Sequence, residues 1–157
     1  MAGPDRHAWV SDWIQEVRDA QGAIDRHAWT MSSLRARASR PRTSRPDLAP
    51  TGSMSDSMAA VDAILDLERK ELEAPRATVA HFQEVMRDLR EWADPPIAKG
   101  AAILELEIVH GMKHREIAEL AGISRTWVTQ LKRKTIFFLE DAGPSYVDSF
   151  REKNEAR

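Results

Sequence analysis

The chain has 157 residues, of which 31% are charged and 42% hydrophobic, proportions of a folded helical protein rather than of a disordered one. It has no cysteine, which excludes disulfides, thiolate metal sites and cysteine nucleophiles and suits a reducing compartment. The formal net charge is only -2, so a nucleic-acid footprint has to come from local clustering of charge.

Such clustering is present. Residues 35–57 hold five Arg against two Asp, and residues 110–139 hold six Lys or Arg against two Glu. Between these two basic blocks, residues 58–94 hold five basic against nine acidic side chains. No stretch approaches the ~18 consecutive apolar residues of a membrane span, and the opening MAGPDRHAWVSDW has no apolar run behind a basic region. The expectation is a cytoplasmic protein without a membrane partner.

The first element is a long helix. Val10, Trp13, Val17, Ala20, Ile24, His27, Met31, Leu34 and Ala38 recur in alternating steps of three and four, a heptad stripe. The pentapeptide DRHAW occurs at Asp5 and again at Asp25, but 20 residues turn a helix by about 200°, so the copies face nearly opposite ways and do not form a repeated unit.

An Arg-, Ser- and Pro-rich linker follows, at about residues 40–56, whose prolines no helix can accommodate. The stripe then resumes through Met58, Val61, Leu65, Leu72, Pro75, Val79, Phe82, Met86, Leu89 and Ala93, with a miss at Glu68. Pro75 keeps the register but lacks an amide donor, which predicts a kink near Lys70 to Glu73. Two such helices joined by a linker pair most economically as an antiparallel hairpin over residues 1–94, and the same stripes are able to dimerise two chains.

Asp94-Pro95-Pro96 ends the second helix and opens a third, with Asp94 as N-cap and Pro95 at the first helical position. That helix runs from Ile97 to His110 and stops at Gly111. A compact head is expected over residues 95–142, and Gly143-Pro144 leads into a polar, flexible tail over 143–157. The fold class is all-α: a long helical hairpin or coiled coil followed by a compact helix-turn-helix head.

The head carries the one segment whose spacing points to a function, HREIAELAGISRTWVTQLKRK from His114. A helix-turn-helix needs a small residue where its helices cross, a residue tolerant of positive φ in the turn, and apolar residues on the buried sides. Ala118 is the crossing residue and Gly122 the turn residue. Ile117, Ala121, Ile123, Val128 and Leu131 are expected to be buried, and Ser124 to cap the second helix.

With Val128 and Leu131 turned inward, helical phase puts Arg125, Thr126, Thr129, Gln130 and Arg133 outward. Arg pairs with guanine, Gln with adenine, and Thr offers a hydroxyl or a methyl. The candidate base readers are therefore Arg125, Thr126, Thr129 and Gln130, near the start of the second helix. The candidate phosphate contacts are Lys113, Arg115, Ser124, Lys132, Arg133 and Lys134. Sequence leaves the direction of Trp127 open between stacking outward and packing against the preceding helix. His110 and His114 are read as solvated rather than metal-bound, because Gly111 breaks the helix between them and no third ligand lies near.

Taken with the helix before it, AAILELEIVHGMKHREIAELAGISRTWVTQLKRKTIFFLEDA resembles the promoter-reading region four of bacterial sigma factors. The pattern of an LEL helix, a glycine and EIAE-LGIS stands here as Leu104 to Leu106, Gly111 and Glu116 to Ser124. The departures are Ala121 where Leu is usual, and Thr126-Trp127 where small or polar residues are common. The order of long helix, linker, long helix and head is similar to small phage and prophage sigma-like regulators of the ArpU type.

That resemblance implies a regulator of phage or prophage transcription in a bacterial cytoplasm, with double-stranded DNA as partner, RNA polymerase as a second candidate partner, and a homodimer through the long helices. Two other readings stay open: an adaptor that binds host RNA polymerase or another host protein, and a DNA-packaging recognition subunit. No paired carboxylates, phosphate loop or nucleophile with a base stands out, so neither an enzyme nor a cofactor is expected.

Overall fold

A computed structural model describes the backbone of residues 8–38 and 54–155. Within them every element is a helix: α1 (Ala8–Ala38), α2 (Met54–Trp92), α3 (Pro95–Ile108), α4 (His114–Ala121), α5 (Arg125–Ala142) and α6 (Pro144–Glu155). The all-α expectation therefore holds. Most of the expected linker lies outside the described residues, and α2 has already begun at Met54. Pro75 sits inside α2, which continues as a helix on both sides of it.

α1 and α2 run antiparallel, as two cross-helix pairs establish. Near one end, the Trp13 ring stands 5.9 Å from His81 and 5.2 Å from Phe82. Toward the other end, His27 Nδ1 lies 3.2 Å from Glu68 Oε2. The single miss in the α2 stripe thus faces the single histidine in the α1 stripe, and the two polar residues partner one another.

Only half of each stripe is well covered. Val10, Trp13, Val17 and Ala20 are buried with Val79, Phe82, Val85, Met86 and Leu89, in a core completed by Ala101, Leu104 and Ile108 of α3, Leu139 of α5 and Val147 of α6. Hairpin and head therefore share one core. Each fully buried side chain of this size contributes about 1.5–3 kcal/mol, so the α3 to α6 end of the hairpin is its anchored end. Farther along, where the described residues supply no third layer of helix, Leu34 and Val61 are exposed.

The segment expected as a loose tail is helix α6. Tyr146, Val147 and Phe150 recur at one face of a single turn, and Val147 is buried. The Tyr146 hydroxyl donates to Asp88 of α2 at 2.7 Å. Burial and the adjacent Asp88 carboxylate hold this phenol well above its ordinary value of 10. His81, itself buried, reaches the Val147 carbonyl at 2.7 Å through Nε2; because a carbonyl only accepts, Nε2 must carry the proton. Polar composition obscured this helix, since only three of its side chains supply the apolar anchor.

α3 and α5 cross at Gly100. A Cβ there would collide with Thr135 Oγ1 and with the Leu131 carbonyl. The closeness of this crossing lets the buried Thr135 hydroxyl donate to the Ile97 carbonyl at 2.8 Å. The crossing positions α5, and through it the face described next.

Candidate nucleic-acid interface

α4 is eight residues long and ends at Gly122, which has φ 67° and ψ 34°. This left-handed conformation is open to glycine and costs about 1–2 kcal/mol for other L-residues. The chain turns there, and the Ile123 amide donates back to the Ala118 carbonyl at 3.1 Å. Ser124 then caps α5, its hydroxyl accepting from the Trp127 amide at 3.1 Å. The geometry is that of a helix-turn-helix, with turn and cap at the residues expected from spacing.

The two helices close over a small second core of Ile103, Ile117, Ala118, Val128 and Leu131, with Leu106, Met112 and Ile123 packed at its edge. One expected member is missing: Ala121 is exposed. It is the last residue of α4, so the chain reverses before its face is covered, while Ile123, just beyond the turn, is partly buried at the edge of this core.

α5 has two distinct faces. Val128, Leu131, Thr135 and Leu139 recur in steps of three and four and are all buried. On the other side, Arg125, Thr126, Gln130 and Arg133 are exposed, and Thr129 is half-buried. The Thr129 hydroxyl donates to the Arg125 carbonyl at 3.2 Å, leaving its methyl and an acceptor lone pair for a ligand. All four candidate base readers therefore lie on one side of α5, away from its packing face. Lys113 and Arg115, at the start of α4, are also exposed.

Lys132 does not belong with the phosphate contacts. Its Nζ lies 2.7 Å and 2.9 Å from the two carboxylate oxygens of Glu107 in α3. Arg18 of α1 joins the same carboxylate at 3.1 Å, and His114 Nε2 stands 3.4 Å away. Burial pushes the Glu107 carboxyl up, but the hydrogen bond and charge of Lys132, with help from Arg18 and His114, outweigh it and hold the group below its ordinary value. Lys132 is thus a strut between α5 and α3. No local motif announces Glu107 as the hub, since its partners come from three other helices.

Trp127 points outward, its exposure being 39%, and Lys134 Nζ sits 5.4 Å from its ring centroid. The two are seven residues apart and share a face, so the cation–π contact holds a flat aromatic surface and a positive charge side by side. Lys134 and Arg133 are both exposed and remain candidate phosphate contacts. Ser124 keeps a hydroxyl proton to donate while its oxygen caps the helix. Among the described residues no group of three or more His, Asp or Glu is arranged to hold a metal ion, and no helix is long and apolar enough to cross a membrane.

Comparison of the chain with protein-family models, with curated proteins and with solved structures finds no match to any of them.

Proposed function

We propose that the protein binds duplex DNA in a sequence-specific manner, with the N-terminal half of α5 in the major groove and α4 crossing the backbone. The observation that carries this reading is the division of α5 into two faces. Val128, Leu131, Thr135 and Leu139 account for the packing of the helix, and nothing in that packing requires Arg125, Thr126, Gln130 and Arg133 on the opposite side. Those four are groups that recognise base edges and phosphates. An α-helix fits the major groove, and the residues near the start of a second helix reach farthest into it.

The resemblance of the head to sigma region four supports a more specific role, regulation of phage or prophage transcription in a bacterial cytoplasm. In this reading the protein is a non-enzymatic DNA-binding regulator, and the α1–α2 hairpin is available for contact with other proteins, RNA polymerase among them.

The test is a mobility shift against fragments of the source genome over a salt series. Specific binding that weakens steeply with salt is expected, because each neutralised phosphate adds to the slope. Gln130→Ala should change base preference, whereas Lys134→Ala should weaken all sequences alike. Absence of binding at ~50 mM salt, where phosphate contacts are strong, would overturn the proposal in favour of a protein-binding adaptor.

A further inference from the structure

We infer that the α1–α2 hairpin holds a second phosphate-binding site, an arginine-lined groove beyond the head that takes the backbone of the same DNA duplex; the inference rests on the DNA-binding reading above. His27, Arg35, Arg69 and Arg76 line this groove, Met31 and Leu65 add apolar surface, and its volume is about 480 Å³. None of the residues that line it is a carboxylate. A planar guanidinium suits phosphate because it donates two parallel hydrogen bonds.

The antiparallel register makes the cations converge. His27 faces Glu68 across the hairpin. Arg35 lies eight residues beyond His27 and Arg76 eight residues beyond Glu68, which puts them about 12 Å to either side of that pair. Side chains on a helix lean toward its N-terminus, and the two helices run in opposite directions. Arg35 and Arg76 therefore both lean back toward the middle, where Arg69 stands. The Glu68 carboxylate is taken up by His27 at 3.2 Å, and Asp66 meets Arg69 only at 3.8 Å with both side chains largely exposed, a loose contact of little worth.

The groove opens on the side of the hairpin that carries the head. Arg69, Arg76, Gln83 and Arg90 follow one another in steps of seven and share one edge of α2, and Arg90 pairs with Glu105 of α3 at 3.1 Å. On α1, Arg18, Asp25 and Ser32 are likewise seven apart. Ser32 lines the groove, Arg18 pairs with Glu107 of α3 at 3.1 Å, and Asp25 accepts from Gln21 at 2.9 Å. Residues 58–94 hold nine acidic side chains against five basic, yet three of the five fall on the Arg69 to Arg90 row, which has no carboxylate between its ends. A merely solvated face would not require that sorting.

Position and openness identify the occupant as the duplex. The Glu107 carboxylate that holds Arg18 also meets His114 at the start of α4 and Lys132 of α5. The candidate phosphate contacts Lys113 and Arg115 flank His114, so they stand at the head end of the row that reaches Ser32 about 21 Å farther along α1. That distance is about six base pairs at 3.4 Å each, so one duplex is long enough to meet both the head and the groove. Because Arg35, Arg69 and Arg76 are exposed, the groove presents its cations at an open surface, which suits a backbone laid across it rather than a small anion enclosed by it.

The test is the salt dependence of binding to a duplex of about 30 base pairs selected from the source-genome fragments, long enough to span head and groove. The double variant Arg69→Gln, Arg76→Gln should lower the slope of log affinity against log salt by about 2, since each lost contact contributes about 0.9. Between about 50 and 200 mM salt the parent's advantage over this variant should shrink roughly tenfold. The matched variant Lys70→Gln, Arg87→Gln loses the same charge from exposed positions of α2 outside the groove and should keep the parent slope. Melting temperature and helical circular dichroism should be unchanged in both. A groove variant with the parent slope, or a matched variant whose slope falls equally, overturns the inference and leaves the reading of α5 standing, because the parent still binds. A parent chain that binds no duplex at ~50 mM salt overturns that reading and this site with it.

Discussion

The ammonium of Lys132 in α5 rests 2.7 Å from the carboxylate of Glu107 in α3, tying the helix that presents the candidate DNA-reading face to the helix beneath it. Both side chains are mostly covered, at 19% and 14% exposure, so the pair acts in surroundings where losing one partner leaves a poorly solvated charge. The adjacent Arg133 is exposed. Two neighbouring cations in one basic run therefore stand in different surroundings, set by about 100° of helical rotation.

This separation is measurable. Lys132→Ala should cost about 1–3 kcal/mol of stability by stranding Glu107, seen as a melting temperature lower by several degrees, while the salt slope of DNA binding stays the same. Arg133→Ala should leave the melting temperature unchanged and reduce the salt slope by about 1. Equal effects on both readouts would show that the division between strut and phosphate contact is wrong.

Glu107 also predicts how stability responds to acid. Its carboxyl is held below the ordinary value of 4.5, so the unfolded chain takes up the proton first as pH falls. The stabilisation is fully present above that value and is lost as pH drops through the lower, folded-state value. Urea unfolding of the parent chain across the acid range should show this loss, and Glu107→Gln, which has no charge to lose, should show a shallower slope there. An identical pH dependence in both chains would rule Glu107 out as its source.

The α3–α5 crossing makes a sharper demand on size. Gly100→Ala brings a methyl group into the Leu131 carbonyl and the Thr135 hydroxyl, neither of which is the end of a flexible side chain. Overpacking of this kind costs about 1–3 kcal/mol, and the upper part of that range is expected because backbone must move. The urea midpoint should fall with little change in slope. Lys99→Ala, at an exposed neighbouring position, should leave it nearly unchanged.

Removing α6 tests whether the last helix belongs to the core. A chain ending at Gly143 loses the buried Val147, the Tyr146–Asp88 hydrogen bond and the acceptor of His81. The expected cost is about 3 kcal/mol or more, from apolar burial together with a stranded buried histidine. A truncated chain that melts at the same temperature as the parent would return 144–155 to the status of an appendage.

Much of the candidate interface is legible in the order of residues alone. Gly122 in the turn, Ser124 at the cap, Ala118 at the crossing and the outward set beginning at Arg125 follow from helical phase and local backbone preference, and they stand where spacing puts them. Ala121 shows the limit of that logic. Its phase suits burial, but the last residue of a short helix is covered only if the chain beyond it turns back over the same face, and here Ala121 stays exposed.

The sequence by itself determined what depends on neighbours within a turn or two of helix: the all-helical class, the two long stripes, the breaks at Gly111 and Gly122, and the two faces of α5. Only the tertiary structure decided what depends on residues far apart in the chain. Lys132 meets Glu107 across 25 residues and His81 meets Val147 across 66, and no periodicity encodes either meeting. The same holds for the outward direction of Trp127, the docking of α6 and the loss of cover along the far half of the hairpin. Each depends on where a third helix ends, and therefore on how the described helices divide a limited apolar surface among themselves.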